Sequence, residues 1–286
     1  IPELSVCLIE KNNAIGSEAS TNNSGVLHSG IYYEPDSIKH KVCSEGNRLL
    51  TEYCIQNNIP FKNIQKIILP TSDDTLINLH KLIERAKKNN LDHEVLNKND
   101  LIMMEPNVSR VYGKALLIKS TSIACPKTLI EHLTLKLKKH NVDIMLNTDL
   151  VDLIPNRRII KCVNKKIEYG YFINCAGAYA EKIFKKFENN HNYVIIPFKG
   201  SYYKLTGLPS NYTKHLIYPV PNPEIPFLGI HTSNNFNDEI FLGPSAEPSF
   251  KMSNYKSHIV KKYSSYFKIT YHLLRFFVKN KQFRNL

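Results

Sequence analysis

"NSGVLHSGIYYEP", Asn23 to Pro35, is the stretch on which the reading of this chain turns. Gly25 and Gly30, Ser24 and Ser29, His28 and the adjacent Tyr32 and Tyr33 fall within thirteen positions. Glycine has no Cβ, so a backbone built on Gly25 and Gly30 can lie close to something flat or phosphorylated. Ser20, Thr21, Asn23 and Ser24 add hydroxyls and amides that could meet a pyrophosphate. Upstream, "LSVCLIEK" (4–11) is a short apolar run rich in β-formers that ends in an acid, Glu10. It reads as a buried parallel strand. An acid at the end of such a strand is where a dinucleotide-binding fold holds a ribose hydroxyl. Taken alone, Glu10 reads equally as a turn-capping acid and His28 as a core histidine. The glycine-rich half of that fingerprint lies about 20 residues before the acid, and only nine residues precede Glu10.

Outward from this stretch the chain alternates helical and strand periodicity. Residues 36–57 have helical spacing, with Val42, Leu49, Leu50 and Tyr53 on one face and Asp36 or Ser37 as the cap. Residues 61–72 read as a strand or hairpin. Residues 73–90 form an amphipathic helix with acids at its start and lysines at its end. A short helix at 98–106 stops at Pro106, and 113–126 is strand-like. Pro126 opens a helix over 127–141, followed by a strand at 142–154. Residues 157–180 read as a hairpin and then a buried strand ending at Cys175, with a short helix over 180–187. From 193 to 250, short β segments punctuated by prolines carry an antiparallel signature. The stretch from 255 onward is amphipathic, aromatic and basic, one or two helices. The fold class is α/β with a second, sheet-containing domain.

Composition bounds the rest. At 286 residues and 42% hydrophobic content the chain has enough apolar surface for one or two globular domains. Six cysteines without a CxxC spacing point to neither a disulfide framework nor a zinc site. No HExxH, no paired Cys/His spacing and no GxSxG elbow is present, so neither a metal site nor a serine nucleophile is expected. The net charge is +13, from 38 basic and 25 acidic residues, but the lysines are spread from Lys11 to Lys281 rather than interleaved with aromatics on one stretch. That distribution argues against nucleic acid and leaves open an anionic substrate or a membrane surface, beside the plainer reading of a lysine- and asparagine-rich composition, visible in "KKNN", "NKND" and "KNKQ". No run approaches the eighteen apolar residues of a membrane span.

Two further constellations carry chemistry. In "NCAGAYA" (174–180), small residues after a strand let a cofactor pass over the backbone. "PFKG" (197–200), "YPVP" (218–221) and "PFLGIH" (226–231) place Lys199, Tyr218 and His231 in one β region, a set suited to a carboxylate.

These motifs in order, "IEK" (9–11), "NSGVLHSGIYYEP" (23–35), "ACP" (124–126), "INCAGAYA" (173–180), "IPFKGSYY" (196–203), "IYPVPNPEIPFLGIH" (217–231) and "LGPSA" (242–246), closely resemble the L-2-hydroxyglutarate dehydrogenase/oxidase family of FAD enzymes. The resemblance extends to about residue 255. The resemblance implies a glutathione-reductase-like FAD domain, 1–60 and 121–183, interleaved with an antiparallel-sheet substrate domain, 61–120 and 184–286. It implies FAD held by Glu10 at the ribose, by Thr21, Ser24 and Gly25 along the pyrophosphate and ribityl region, by the Val151 backbone at adenine, and by Ala176 and Gly177. His28 or His231 would be the base, and Tyr33, Lys199 and Tyr218 would bind the 2-hydroxy dicarboxylate. Hydride transfer from C2 would give 2-oxoglutarate, with a quinone or oxygen as acceptor and a cytoplasmic location, peripheral to the inner membrane if a quinone is used. The family's N-terminal glycine-rich loop and C-terminal flavin segment are not among these residues, so these 286 residues alone are expected to bind FAD poorly and to be inactive. The alternatives are a glycerol-3-phosphate-type or amino-acid-type flavin oxidoreductase, and a non-enzymatic basic remnant.

Overall fold

The computed structural model describes residues 4–188, 193–222, 227–249, 252 and 264–279. The chain divides into two compact units. The first comprises Ile1–Asn23, Pro126–Phe198 and Pro248–Leu273, and the second Ser24–Cys125, Lys199–Glu247 and Leu274–Leu286.

In the first unit, Cys7–Ile9 pairs in parallel with Asp143–Met145. The strand expected over 4–11 is therefore parallel but short, and it is not buried, since Leu4 and Val6 are half exposed. Pro126 begins the helix Pro126–Lys139, where its missing N–H costs nothing. Lys136, Lys138 and Lys139 close that helix beside its negative dipole end. Leu150–Ile154, Ile159–Cys162 and Lys166–Glu168 form a three-stranded antiparallel sheet around Leu153, Ile160 and Cys162. The buried strand expected before Cys175 does not form. Residues 171–176 are irregular, and Tyr171 and Ile173 are 92% and 81% exposed. A strand needs a hydrogen-bonded neighbour, and no described strand lies along this segment.

The second unit is built on a seven-stranded sheet in the order Tyr203–Lys204, Ile240–Gly243, His231–Asn234, Leu216–Pro219, Lys66–Leu69, Ala115–Ile118, His93–Leu96. Neighbours run antiparallel except for Leu216–Pro219 with Lys66–Leu69, which are parallel. Partners directly across a ladder share a face. Ile68 pairs with Tyr218 and with Leu116, and Lys66 pairs with Leu216 and with Ile118, so all six share one face. That face packs on the helix Leu76–Lys88 through Leu79, Leu82, Ile83 and Ala86. Burying each of these leucines and the isoleucine contributes about 1.5–3 kcal/mol. The helix Ile38–Gln56 is capped by Ser37, whose hydroxyl accepts from the His40 N–H. Its Val42 and Leu49 are exposed.

Residues 24–60 fall in this unit rather than with the first segment, because Val26–Leu27 and Phe61–Lys62 both pair with Ser122–Ala124. Of the C-terminal stretch read as helical, Ser264–Lys279 is a helix and residues 253–263 lie outside the described residues. Among the described residues no helix is long and apolar enough to cross a membrane.

Candidate functional site

A sheet face that packs on a helix is normally apolar throughout. Here it carries a lysine. Lys66 stands at the start of its strand with no exposed surface, and its Nζ has no hydrogen-bond partner in the described structure. The Nζ lies 4.5 Å from the ring centroid of Tyr32 and 5.2 Å from that of Tyr218, within reach of a cation–π attraction. Removal from water, with no carboxylate among the described residues to compensate, pushes the Lys66 ammonium down to about 7.

His28 reaches the same place from the strand Val26–Leu27, followed by the Ser29–Gly30 turn. Gly30 has φ +86°, a region that favours glycine, and a Cβ there would come 3.2 Å from His40 Nδ1. The His28 carbonyl is held by the Asn47 amide and the Cys43 thiol. Its ring Nδ1 is buried and unpartnered. Burial first, then the charges of Lys66 and His231, push its imidazole down to about 3, so it is neutral at ordinary pH.

His28, Gly30, Ile31, Tyr32, Tyr33, Lys66 and Leu228 line a cavity of about 80 Å³. Tyr218 stands beside it, buried, with the edge of its ring pair toward His28 at 6.3 Å between centroids. His231, on the neighbouring strand, stacks on the Tyr218 ring. Its Nδ1 lies 2.8 Å from the Gly229 carbonyl, which can only accept, so Nδ1 carries the proton and Nε2 the lone pair. Burial lowers the pKa of His231 and raises those of Tyr218 and Tyr32. The cluster therefore offers two neutral imidazoles, two phenols and one amine in a place shielded from water.

The second unit thus brings together four residues expected from sequence: His28, Tyr33, Tyr218 and His231. Lys199 is not among them. It is exposed on the short strand Phe198–Lys199 and does not line the cavity. Lys66 was missed by sequence reading. The signal was available in "QKIIL": a lysine two residues before Ile68 stands on the face that the alternation assigns to the core. Ser24 and Gly25 precede the cluster, Gly25 with φ +70° and its carbonyl accepting from the Ala124 N–H.

The remaining cofactor candidates belong to the first unit. Glu10 leaves the C-terminal end of its parallel strand, the edge at which open α/β sheets bind ligands. Its Oε1 accepts from the Asn12 N–H and its carbonyl from the Thr148 N–H, which joins it to the segment running on to the exposed Val151. Lys11 lies 3.9 Å over the Tyr179 ring and so links Glu10 to the turn Gly177–Tyr179. Gly177 has φ +53° and open space where a Cβ would stand. Thr21 uses its hydroxyl on the Gly16 carbonyl. An acid at a strand end, the exposed Val151 and a turn that opens at Gly177, with no Cβ to fill the space there, fit the adenosine half of a flavin dinucleotide.

Comparison with known proteins agrees with this chemistry. The chain is 30% identical to the L-2-hydroxyglutarate dehydrogenase of Escherichia coli (strain K12) over 258 residues, 89% of this chain and 61% of that protein. It is 33% identical to the L-2-hydroxyglutarate dehydrogenase of Indibacter alkaliphilus, over 89% of this chain and 64% of that protein. The chain thus spans about three fifths of the length of these relatives. Among solved structures, the dithionite-reduced L-alpha-glycerophosphate oxidase of Mycoplasma pneumoniae with FAD bound superposes with a TM-score of 0.76 at 21% identity, covering 93% of this chain and 71% of that one. The glycine oxidase of Geobacillus kaustophilus superposes at 0.71 and 14% identity, covering 90% and 67%. The model of the FAD dependent oxidoreductase family, DAO, matches residues 3–275, and the chain belongs to that family of FAD-dependent oxidoreductases.

Proposed function

We propose that this chain carries the substrate-binding side of an oxidation of L-2-hydroxyglutarate to 2-oxoglutarate. The observation that carries the proposal is His28, a neutral imidazole with an unpartnered ring nitrogen, on the wall of a small cavity that also presents Lys66 and two tyrosines. FAD, when bound, supplies the acceptor for the hydride that leaves C2. His28 takes the hydroxyl proton as the C–O bond becomes a carbonyl, so charge does not build up on the oxygen. His231, held by Gly229 and stacked on Tyr218, fixes the wall behind that step rather than performing it. Tyr33, at the exposed border of the cavity, orients the polar end of the substrate. The curated relatives' names support the choice of substrate.

The test is anaerobic flavin bleaching in the FAD-loaded protein. L-2-hydroxyglutarate should bleach the flavin, while its D enantiomer, glycerol 3-phosphate and amino acids should not. Bleaching by glycerol 3-phosphate or an amino acid instead would replace this reading by the other branches of the fold. We extend the proposal to peripheral contact with an anionic membrane, supported by the excess of 38 basic over 25 acidic residues. Flotation with anionic but not neutral vesicles checks it.

A further inference from the structure

We propose that Lys66 is the docking cation for a substrate carboxylate, and that it takes up a proton as the anion binds. The inference deepens the reading of the cavity as a 2-hydroxy dicarboxylate site and rests on it for the choice of ligand.

The geometry carries the argument. A lysine ammonium is almost never fully buried without a partner, because removing it from water must be compensated by an opposite charge. Lys66 has no surface, no hydrogen bond and no carboxylate partner among the described residues, yet it is one of the residues that line the cavity. Among the described residues, no titratable neighbour that faces it carries a negative charge near neutral pH. Tyr218 and His231 stand on the adjoining strands, His28 and Tyr32 on the Val26–Tyr32 segment, and Cys43 on the helix Ile38–Gln56. Arg85, on the helix packed against the sheet, is already engaged by the Tyr32 carbonyl and by Glu34 at the surface. Among the described residues no acid pairs Lys66, and its side chain lines the cavity. That arrangement suits an amine that waits neutral among aromatic rings and becomes an ammonium when a carboxylate arrives.

Two consequences follow. Binding is coupled to protonation, since the empty site holds the amine near its midpoint at neutral pH. Discrimination is also set by the ligand, because an uncharged alcohol leaves the amine without a counter-ion and gains nothing from it.

The experiment is calorimetric titration of the FAD-loaded protein with 2-oxoglutarate, the product, in pairs of buffers with different ionisation enthalpies. The expected uptake is small at pH 6, about half a proton at pH 7 and close to one at pH 8. Lys66→Met should abolish the uptake and weaken binding about 10- to 100-fold, with its melting temperature reported as the check on folding. His28→Asn should keep the uptake. Binding without proton uptake in the unaltered protein, or unchanged affinity in Lys66→Met, overturns the proposal. The same titration with inorganic phosphate and with lactate separates the two readings. If either binds with Lys66-dependent uptake while 2-oxoglutarate does not, Lys66 is an anion dock and the dicarboxylate assignment falls. If none of these anions binds, the dock is refuted.

Discussion

Tyr218 and His231 lie face to face, with ring centroids 3.7 Å apart and planes 18° from parallel. They stand on adjacent antiparallel strands, one residue on from the Ile217–Thr232 pair, and so point to the same side of the sheet. The stack has Tyr202 edge-on at 6.4 Å from His231 and His28 edge-on at 6.3 Å from Tyr218. Tyr218 is therefore a shared wall between two imidazoles of different standing. His231 is locked by a carbonyl on Nδ1, whereas the Nδ1 of His28 has no partner and its ring lines the cavity.

That difference predicts unequal effects of removing each histidine. His28→Asn should lower kcat about 10²- to 10⁴-fold, the ordinary worth of a positioned base, with flavin content unchanged. His231→Asn should act mainly on KM. Steady-state kinetics of the FAD-loaded variants checks both, and an equal fall in kcat for the two would reverse the assignment of the base.

Lys66 predicts a pH signature in stability. Its amine is held to about 7 in the folded chain against 10.5 when free. Between those values the unfolded chain binds a proton that the folded chain does not, so stability rises with pH from about 7 to about 10.5 and the whole penalty is present below 7. Lys66→Met should remove that slope and raise stability at pH 7, on the order of a few kcal/mol. Urea midpoints at pH 6.5 and pH 9.5 decide it. A variant with the same slope as the unaltered protein would count against the burial of this amine.

Glu105 predicts loss of fold rather than of chemistry. It is buried, and one oxygen, Oε1, receives the Lys214 and His215 N–H groups and His215 Nδ1 at 2.7–2.8 Å. Glu105→Ala leaves these donors without an acceptor, each at a cost of about 1–3 kcal/mol. Thermal unfolding should show a large drop, and the drop should be partly restored in Glu105→Gln.

Gly30 predicts a cost of a different kind. Its φ of +86° is one that side chains rarely adopt, and the added Cβ would press on His40 Nδ1 at 3.2 Å. Gly30→Ala should destabilise by about 1–3 kcal/mol and displace His28, two residues away. A combined loss of unfolding midpoint and of ligand affinity is expected. A variant that kept both would show the turn to be tolerant.

The local order of the chain was legible before any coordinates. Ser37 and Pro126 announced helix starts, the acids and lysines of residues 73–90 announced a helix along its dipole, and the short proline-punctuated segments after 193 announced antiparallel strands. These depend on neighbours a few residues apart, which a sequence displays. Gly25 and Gly30 read as points of close backbone approach, with His28 between them; that both take positive φ came from the structure.

Pairing across the chain was not legible in this way. The run at 171–176 has the composition of a strand, but composition does not supply a neighbour, and it stays irregular and exposed. Lys199 and Lys66 each stand beside an aromatic or aliphatic strand residue, and the alternation in "QKIIL" hints only that Lys66 shares the face of Ile68. Only the register of Lys66 opposite Leu216 and Ile118 turns its side chain into the core, with no acid partner among the described residues, while Lys199 is left in solvent. The residue types of the site were written in the sequence. Which amine lost its water, and so became responsive to an anion, was decided by strand register, because desolvation is a property of the packed face and not of the residue.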